Sequence, residues 1–256
     1  MRLPATKFIY KMYEKKLASE IRGNPIPQHI GIILDGNRRG SKQLGVDYIT
    51  GYRLGAEKLE EVLDWCWELD VKVISCWIFS TENFSRPKEQ VTSIMKLAVQ
   101  YFQRIRTDRR IHKNEVRIRV LGRHEMLPKE VQEEIKLTEE ATKHHKRYDL
   151  NICMAYGGRA EIVDALKQIL YKAKDGKIDL NEVDEELISN HLYTEDMPDP
   201  DLIIRTSGEE RLSGFLLWQS AFSEYYFTDV HWPLFRKIDL WRAIRSYQRR
   251  ERRYGS

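Results

Sequence analysis

The stretch His29-Ile-Gly-Ile-Ile-Leu-Asp35-Gly-Asn-Arg-Arg39 decides the reading of this chain. An unbroken apolar run, the signature of a strand covered on both faces, opens onto an acid, a glycine, an amide and two arginines. A second stretch about 170 residues further on has the same design: Asp201-Leu-Ile-Ile-Arg205-Thr-Ser-Gly-Glu-Glu-Arg211-Leu-Ser213. In an open α/β sheet, ligands bind just beyond the carboxyl ends of the strands. Two strand ends furnished with Arg, Ser, Gly and Asp point to a site for phosphates and a metal.

Outward from these stretches, strands and helices alternate. Strands are expected at 30–34, 71–79, 116–121, 150–155, 202–205 and 225–230. Helices fit at 50–69, 87–112, 128–146, 159–174, 184–192 and 238–252. Pro87 and Pro128 sit where proline is tolerated, in a helix's first turn. The alternation predicts an α/β fold with a central, mostly parallel six-stranded sheet flanked by helices. No repeat, low-complexity tract or linker interrupts the chain, so residues 1–256 read as one domain. Residues 1–22 form an amphipathic helix, with Phe8, Ile9, Met12, Tyr13, Leu17 and Ile21 at helical spacing. It either docks on the core or lies on a membrane surface.

Composition narrows the class. Forty-three Lys and Arg against 39 Asp and Glu give a net charge of +4, too mild to argue for nucleic acid. The excess is concentrated: residues 236–253 hold eight basic side chains and two acidic ones. Such a helix suits a phosphate-rich ligand, an anionic membrane or a solvated face. Cys66, Cys76 and Cys153 lie far apart in apolar stretches without a CxxC pair, which fits buried free thiols in a reducing compartment. No signal-peptide h-region or membrane-length apolar run is visible, so a cytoplasmic protein is expected.

Several common chemistries are missing. There is no GxxxxGK[ST], no GxGxxG after a strand, no HExxH and no GxSxG. The acidic segment Asp196-Met-Pro-Asp199-Pro-Asp201 resembles a metal box, but its prolines make an irregular loop the simpler account. What remains is a phosphate site without a P-loop. Asp35 closes a buried strand, where a carboxylate needs a cation. Mg2+ takes one or two carboxylates together with substrate phosphate oxygens. Gly36 lets the backbone come close, and Asn37, Arg38 and Arg39 supply donors, arginine being suited to bidentate phosphate contact. The run Ser80-Thr-Glu82-Asn83-Phe84-Ser-Arg86-Pro87 places further donors, Asn83 and Arg86, at a strand exit beside a helix start.

Taken together, these segments resemble the cis-prenyltransferase family, the undecaprenyl and dehydrodolichyl diphosphate synthases, and archaeal members in particular. The likeness spans roughly residues 27–255 and includes HIGIILDGNRR, FSTENFSRP, VRIRVLG, LNICMAYGGR, DLIIRTSGEERLSGFLLWQ, Glu224 before YYFTDVHWP, and the closing RERRYG. The resemblance implies Mg2+-dependent condensation of isopentenyl diphosphate with an allylic diphosphate to give a Z double bond, for glycosyl carrier lipid synthesis, with a hydrophobic product tunnel between sheet and helices. It implies that Asp35 holds the metal with help from Glu224, and that Gly36, Asn37, Arg38 and Arg39 bind the allylic diphosphate. Arg205, Arg211 and Ser213 would bind isopentenyl diphosphate. Asn83 and Arg86 match positions implicated in substrate orientation and proton removal, with Ser80, Glu82 and Phe84 of the same run grouped in substrate binding. Arg253 and Gly255 match a terminal RxG that completes a neighbouring subunit's site, implying a homodimer. Val91, Ile94, Met95, Leu97 and Ala98 form a candidate tunnel lining. Because the product is a lipid, peripheral membrane contact is also implied.

The departures cluster on the allylic side. After DGNRR the family usually reads Trp-Ala, and this chain has Gly40-Ser41; a family arginine falls at Tyr48 and a family histidine at Tyr52. Replacing Arg by Tyr deletes a charge and its bidentate geometry, with Arg53 or Lys42 placed to compensate. The expectation is an enzyme with a remodelled allylic pocket, accepting an unusual donor or making an atypical prenyl connection. The competing expectation is a partner-dependent or non-catalytic subunit of a heteromeric prenyltransferase.

Overall fold

In the computed structural model, which describes residues 4–250, β1 (His29–Ile33) runs down the middle of the protein with all five residues buried. Its neighbours are β2 (Val73–Ser80) on one side and β5 (Leu202–Arg205) on the other. Outside β2 lie β4 (Tyr148–Tyr156) and then β3 (Val116–Leu121); outside β5 lies β6 (Glu224–Phe227). Every pairing is parallel, so the six-stranded sheet is wholly rather than mostly parallel. The chain leaves β1 towards β2 and returns on β1's far side as β5, which creates a reversal of strand order at β1. Ile33 is level with Trp77 of β2 and with Arg205 of β5, so β1 and β5 end together while β2 runs on to Ser80.

Helices cover both faces. In chain order they are α1 (Pro4–Arg22), α2 (Asn37–Leu44), α3 (Tyr48–Glu68), α4 (Lys88–Thr107), α5 (Arg109–Lys113), α6 (Lys129–Thr142), α7 (Gly158–Lys174), α8 (Glu185–Ser189) and α9 (Lys237–Gln248). Their starts follow local chemistry: Asp47 caps α3 by accepting from the backbone N–H groups of Ile49 and Thr50. Asp108 caps α5 through Arg110 N–H and thereby divides the single helix expected at 87–112 into α4 and α5. The sequence expectation missed α2 altogether. Its residues NRRGSKQL carry no apolar stripe, and its buried positions are Gly40 and Ser41.

The larger core lies between the sheet and α3, α4, α6 and α9, with Phe79, Phe102, Trp232 and Phe235 fully buried. A smaller cluster on the other side gathers Tyr156 and Phe215 around Ile33 and Ile203. The helix α1 docks through Tyr10, Tyr13, Leu17 and Ile21, and leaves Ile9 and Met12 exposed. All three cysteines are free and buried. Among the described residues no helix is long and apolar enough to cross a membrane.

Candidate active site

At the carboxyl ends of β1, β2 and β5 the sheet opens into a cleft of about 570 Å3. Asp35, two residues past β1, is its central acid. One carboxylate oxygen accepts from Arg205 Nη2 at 2.8 Å, and the other accepts from the Gly36 N–H at 2.6 Å and from Arg39 Nη2 at 3.4 Å. Burial pushes the Asp35 carboxyl up, but the hydrogen bond and charge of Arg205, the Gly36 amide and Arg39 outweigh it and hold the group below its ordinary value. Asp35 therefore stays ionised.

Arg205 is only 4% exposed, since it is the last residue of a buried strand. Besides Asp35 it donates to Ser213 Oγ at 2.9 Å and to the Arg211 carbonyl. Ser213 holds a left-handed backbone (φ 54°), a conformation that costs energy for a residue other than glycine and clusters at functional sites. Glu209 then links the two halves: one oxygen accepts from Arg39 at 2.9 Å and the other from Arg211 at 2.5 Å. The turn after Asp35 requires glycine, because Gly36 has φ 92° and a Cβ there would lie 2.6 Å from Ser207 Oγ.

The third wall comes from β2 and the turn behind it. The Ser80 N–H donates to Asn83 Oδ1 at 3.2 Å within a reciprocal capping box. Arg86 Nη1 donates to the Tyr52 hydroxyl at 3.3 Å. Burial lowers the Arg86 guanidinium somewhat, with Arg38 adding to the effect while Tyr52 and Asp35 oppose it. The lining thus carries six cationic side chains, Arg38, Arg39, Lys42, Arg86, Arg205 and Arg211, against the single carboxylate of Asp35. That balance suits a polyanion rather than a neutral ligand.

Beside the cleft, an apolar cavity of about 90 Å3 runs between the sheet and helices α3 and α4. Leu34, Asn37, Tyr52 and Ile78 line both spaces. A polyanion site that shares a wall with an apolar slot suits an amphiphile with a phosphorylated head.

The family model for undecaprenyl diphosphate synthases matches residues 33–255. The chain belongs to the undecaprenyl diphosphate synthase family. It is 50% identical over 249 residues to a tritrans,polycis-undecaprenyl-diphosphate synthase (geranylgeranyl-diphosphate specific) of Methanopyrus kandleri, covering 97% of this chain and 92% of the relative. An isoprenyl transferase of Thermus thermophilus is 50% identical over 257 residues, 99% of this chain and 98% of its own. A crystal structure of lavandulyl diphosphate synthase from Lavandula x intermedia, in complex with dimethylallyl diphosphate, aligns with a TM-score of 0.85 at 32% identity, covering 90% of this chain and 99% of the other. This member of the undecaprenyl diphosphate synthase family is therefore a prenyltransferase of the cis-prenyl diphosphate synthase type.

Within this synthase-family cleft the structure gathers most of the residues expected from the sequence. Asp35, Gly36, Asn37, Arg38 and Arg39 line it from β1, Ser80, Asn83 and Arg86 from β2, and Arg205, Arg211 and Ser213 from β5. Three expected residues are not brought there. Glu82 faces the hydroxyls of Ser80 and Thr81. Phe84 packs edge-on against Phe79, ring centroids 4.9 Å apart, on the main core. Glu224 is the first residue of β6, in register with Leu202 at the amino end of β5, and pairs with Arg250. Because the strands are parallel, Glu224 stands at the opposite end of the sheet from Asp35 and does not join it within one chain. Arg253 and Gly255 lie outside the described residues.

The departures from the family pattern have physical partners. Gly40 leaves no room for a large side chain, since its Cβ would sit 3.0 Å from Pro233 Cδ. Ser41 is buried and donates to the Asn37 carbonyl at 2.7 Å, opposite Gly51. Tyr48 and Tyr52 pack edge-to-face at 6.3 Å. Of the two candidate compensating cations, Lys42 lines the cleft, whereas Arg53 is exposed and does not. Glu209 was not singled out in the sequence, although its place between two arginine positions was a usable signal.

Proposed function

We infer that this chain is a Mg2+-dependent (Z)-polyprenyl diphosphate synthase that elongates an allylic prenyl diphosphate with isopentenyl diphosphate. The observation that carries this is the cationic cleft around Asp35 lying against an apolar cavity, with Leu34, Asn37, Tyr52 and Ile78 lining both. The name of the Methanopyrus relative favours geranylgeranyl diphosphate as the primer, and the product then serves as a glycosyl carrier lipid. The structural likeness to lavandulyl diphosphate synthase keeps an atypical prenyl connection in view as a finer outcome.

The donor set fits the metal. Asp35 is an ionised carboxylate, and no group of three or more His, Cys, Asp or Glu converges among the described residues. A hard cation with one carboxylate and diphosphate oxygens as its remaining partners is the usual Mg2+ arrangement. Bound there, Mg2+ would supply neutralisation of the diphosphate's charge. Arg38, Arg39 and Arg86 hold the allylic diphosphate, with the backbone of Gly36 and the amides of Asn37 and Asn83. Arg205, Arg211 and Ser213 hold isopentenyl diphosphate. Donors fixed in advance around a leaving group stabilise charge as it develops, which is the main lever available here. The apolar cavity is the start of the product tunnel and widens as the chain grows. A homodimer is supported by the apolar stripe Val163, Leu166 and Leu170 on α7 and by nearby Leu217, all exposed. Peripheral membrane contact through Ile9 and Met12 fits a lipid product.

The test is incorporation of radiolabelled isopentenyl diphosphate by the purified chain, with and without Mg2+, across primers from dimethylallyl to geranylgeranyl diphosphate. Mg2+-dependent long-chain product with geranylgeranyl diphosphate preferred is the expected result. No incorporation with any primer would overturn the reading in favour of a partner-dependent subunit.

A further inference from the structure

Tyr52 is one of four residues that belong both to the wall of the polar cleft and to the wall of the apolar cavity. Its ring is held edge-on by Tyr48. Its hydroxyl oxygen accepts from Arg86 Nη1 at 3.3 Å and from Gln90 Nε2 at 3.2 Å. A phenol has one proton to give and two lone pairs to receive with. With both lone pairs engaged, the Tyr52 proton is left to donate and makes no hydrogen bond within the described residues. Gln90 Oε1, buried and without a partner, would take that proton only with the amide reversed, in which case Gln90 would no longer donate. Two donors on the oxygen, one of them a guanidinium, polarise the O–H bond and strengthen the bond it makes to a third partner.

We propose that the Tyr52 hydroxyl donates to the leaving diphosphate oxygen of the allylic substrate and is a catalytic residue of this chain. This rests on the prenyl-transfer reading above. A prenyl diphosphate with its head in the cleft and its tail in the cavity must pass its C1–O bond through the junction, where Tyr52 stands. When that bond breaks, the electron pair leaves with the diphosphate oxygen and the positive charge stays on the allyl carbons. The double bond of isopentenyl diphosphate attacks C1, and the resulting tertiary cation loses a C2 proton to the released diphosphate, which forms the new double bond. The phenol stabilises the oxygen through a hydrogen bond and keeps its proton. The same residue fixes the half-buried Arg86 guanidinium, so one tyrosine serves the leaving group directly and through its neighbour.

The experiment compares the wild-type chain with Tyr52→Phe and Gln90→Leu in the Mg2+ assay with geranylgeranyl diphosphate, reading kcat and both KM values. Tyr52→Phe keeps the ring and removes the donor. Its kcat should fall about 10- to 100-fold, the range for a lost hydrogen bond to a charged group, with the KM for isopentenyl diphosphate unchanged. Gln90→Leu keeps the phenol but removes one polarising donor, and its kcat should fall several-fold. Wild-type kcat in Tyr52→Phe overturns the proposal, as does unchanged or raised kcat in Gln90→Leu, which would mean that the phenol proton had been spent on the Gln90 amide. Loss in Tyr52→Phe confined to the KM for isopentenyl diphosphate also overturns it. If Tyr52→Phe does not fold, Gln90→Leu decides alone. A wild-type chain inactive with every primer fails the functional reading itself, an outcome distinct from an active wild type matched by an active Tyr52→Phe.

Discussion

Asp35 and Arg205 meet at 2.8 Å across the carboxyl ends of β1 and β5, although 170 residues separate them in the chain. The pair spans the reversal of strand order, and each partner reaches into a different half of the site: Asp35 towards Gly36 and Arg39, Arg205 towards Ser213. A positive or negative charge placed beside Asp35 therefore acts on the Ser213 half through one guanidinium.

Asp35→Asn tests that coupling. The amide keeps the shape but leaves Arg205, 4% exposed, without its counter-charge. Activity should fall roughly 100- to 1,000-fold, the scale of a lost preorganised electrostatic group. Stability should fall by about 1–3 kcal/mol, because a charged hydrogen bond is lost at a part-exposed site. Urea unfolding beside the incorporation assay checks both, and unchanged stability with lost activity would assign Asp35 to the substrate alone.

The strands and the cleft were legible in the sequence because their signals are local. An apolar run marks β1, and arginines placed after such runs mark the ends of β1 and β5. Pairing partners that depend on the fold were not. Glu224 reads as a candidate ligand from motif order, yet the parallel register puts it at the amino end of the sheet. The helix α2 was invisible because its inward face is Gly40 and Ser41 rather than an apolar stripe. Tyr52 read as a lost histidine; only the structure places its hydroxyl between Arg86 and Gln90.

Gly40→Trp, which restores the residue usual in the family, should destabilise this chain. The Cβ alone would sit 3.0 Å from Pro233 Cδ and 3.3 Å from His231 Cβ, so the indole has to displace that loop. Overpacking of this kind costs about 1–3 kcal/mol. A thermal midpoint equal to wild type would mean that the loop yields freely.

Gly55→Ala should act on Asn37. The added methyl would lie 2.2 Å from Asn37 Oδ1 and 3.1 Å from Trp232 Cδ1, while the Asn37 amide is anchored to the Leu34 carbonyl at 3.0 Å. The displaced amide should raise the KM for the allylic diphosphate about tenfold, in keeping with the cost of disturbing one polar contact. Gly23→Ala, with nothing within 4 Å of its Cβ, is the control and should match wild type.

His29 sets an acid limit on stability. It is buried at the start of β1, donating from Nδ1 to the Pro198 carbonyl at 2.7 Å and accepting at Nε2 from Ser75 Oγ at 2.8 Å. Burial pushes the imidazole down to about 4, with Arg119 in the same direction and Pro198 and Asp201 opposing. The folded protein thus keeps His29 neutral while the unfolded chain takes up a proton below about 6.5. Its contribution is complete above pH 6.5 and is lost as pH falls towards 4, about 3 kcal/mol in all. Urea titrations across that window should slope accordingly, and His29→Gln should flatten the slope even if it lowers stability overall.

Ala98→Phe should shorten the product. Ala98 lies on the inner face of α4, 8% exposed, and lines the apolar cavity with Ile94 and Leu97, close to Phe102. The cavity is about 90 Å3, far less than a long polyprenyl chain needs, so a chain growing into it has to widen it. A phenyl ring at position 98 fills the space that the first added isoprene units must enter, and it stiffens the packing that must open. Because Ala98 does not line the diphosphate cleft, the first condensation should proceed at near wild-type rate, with products several units shorter on thin-layer analysis. Unchanged chain length would mean that the growing chain leaves by another route, and equal loss of every product would mean that Ala98 matters to binding of the primer itself.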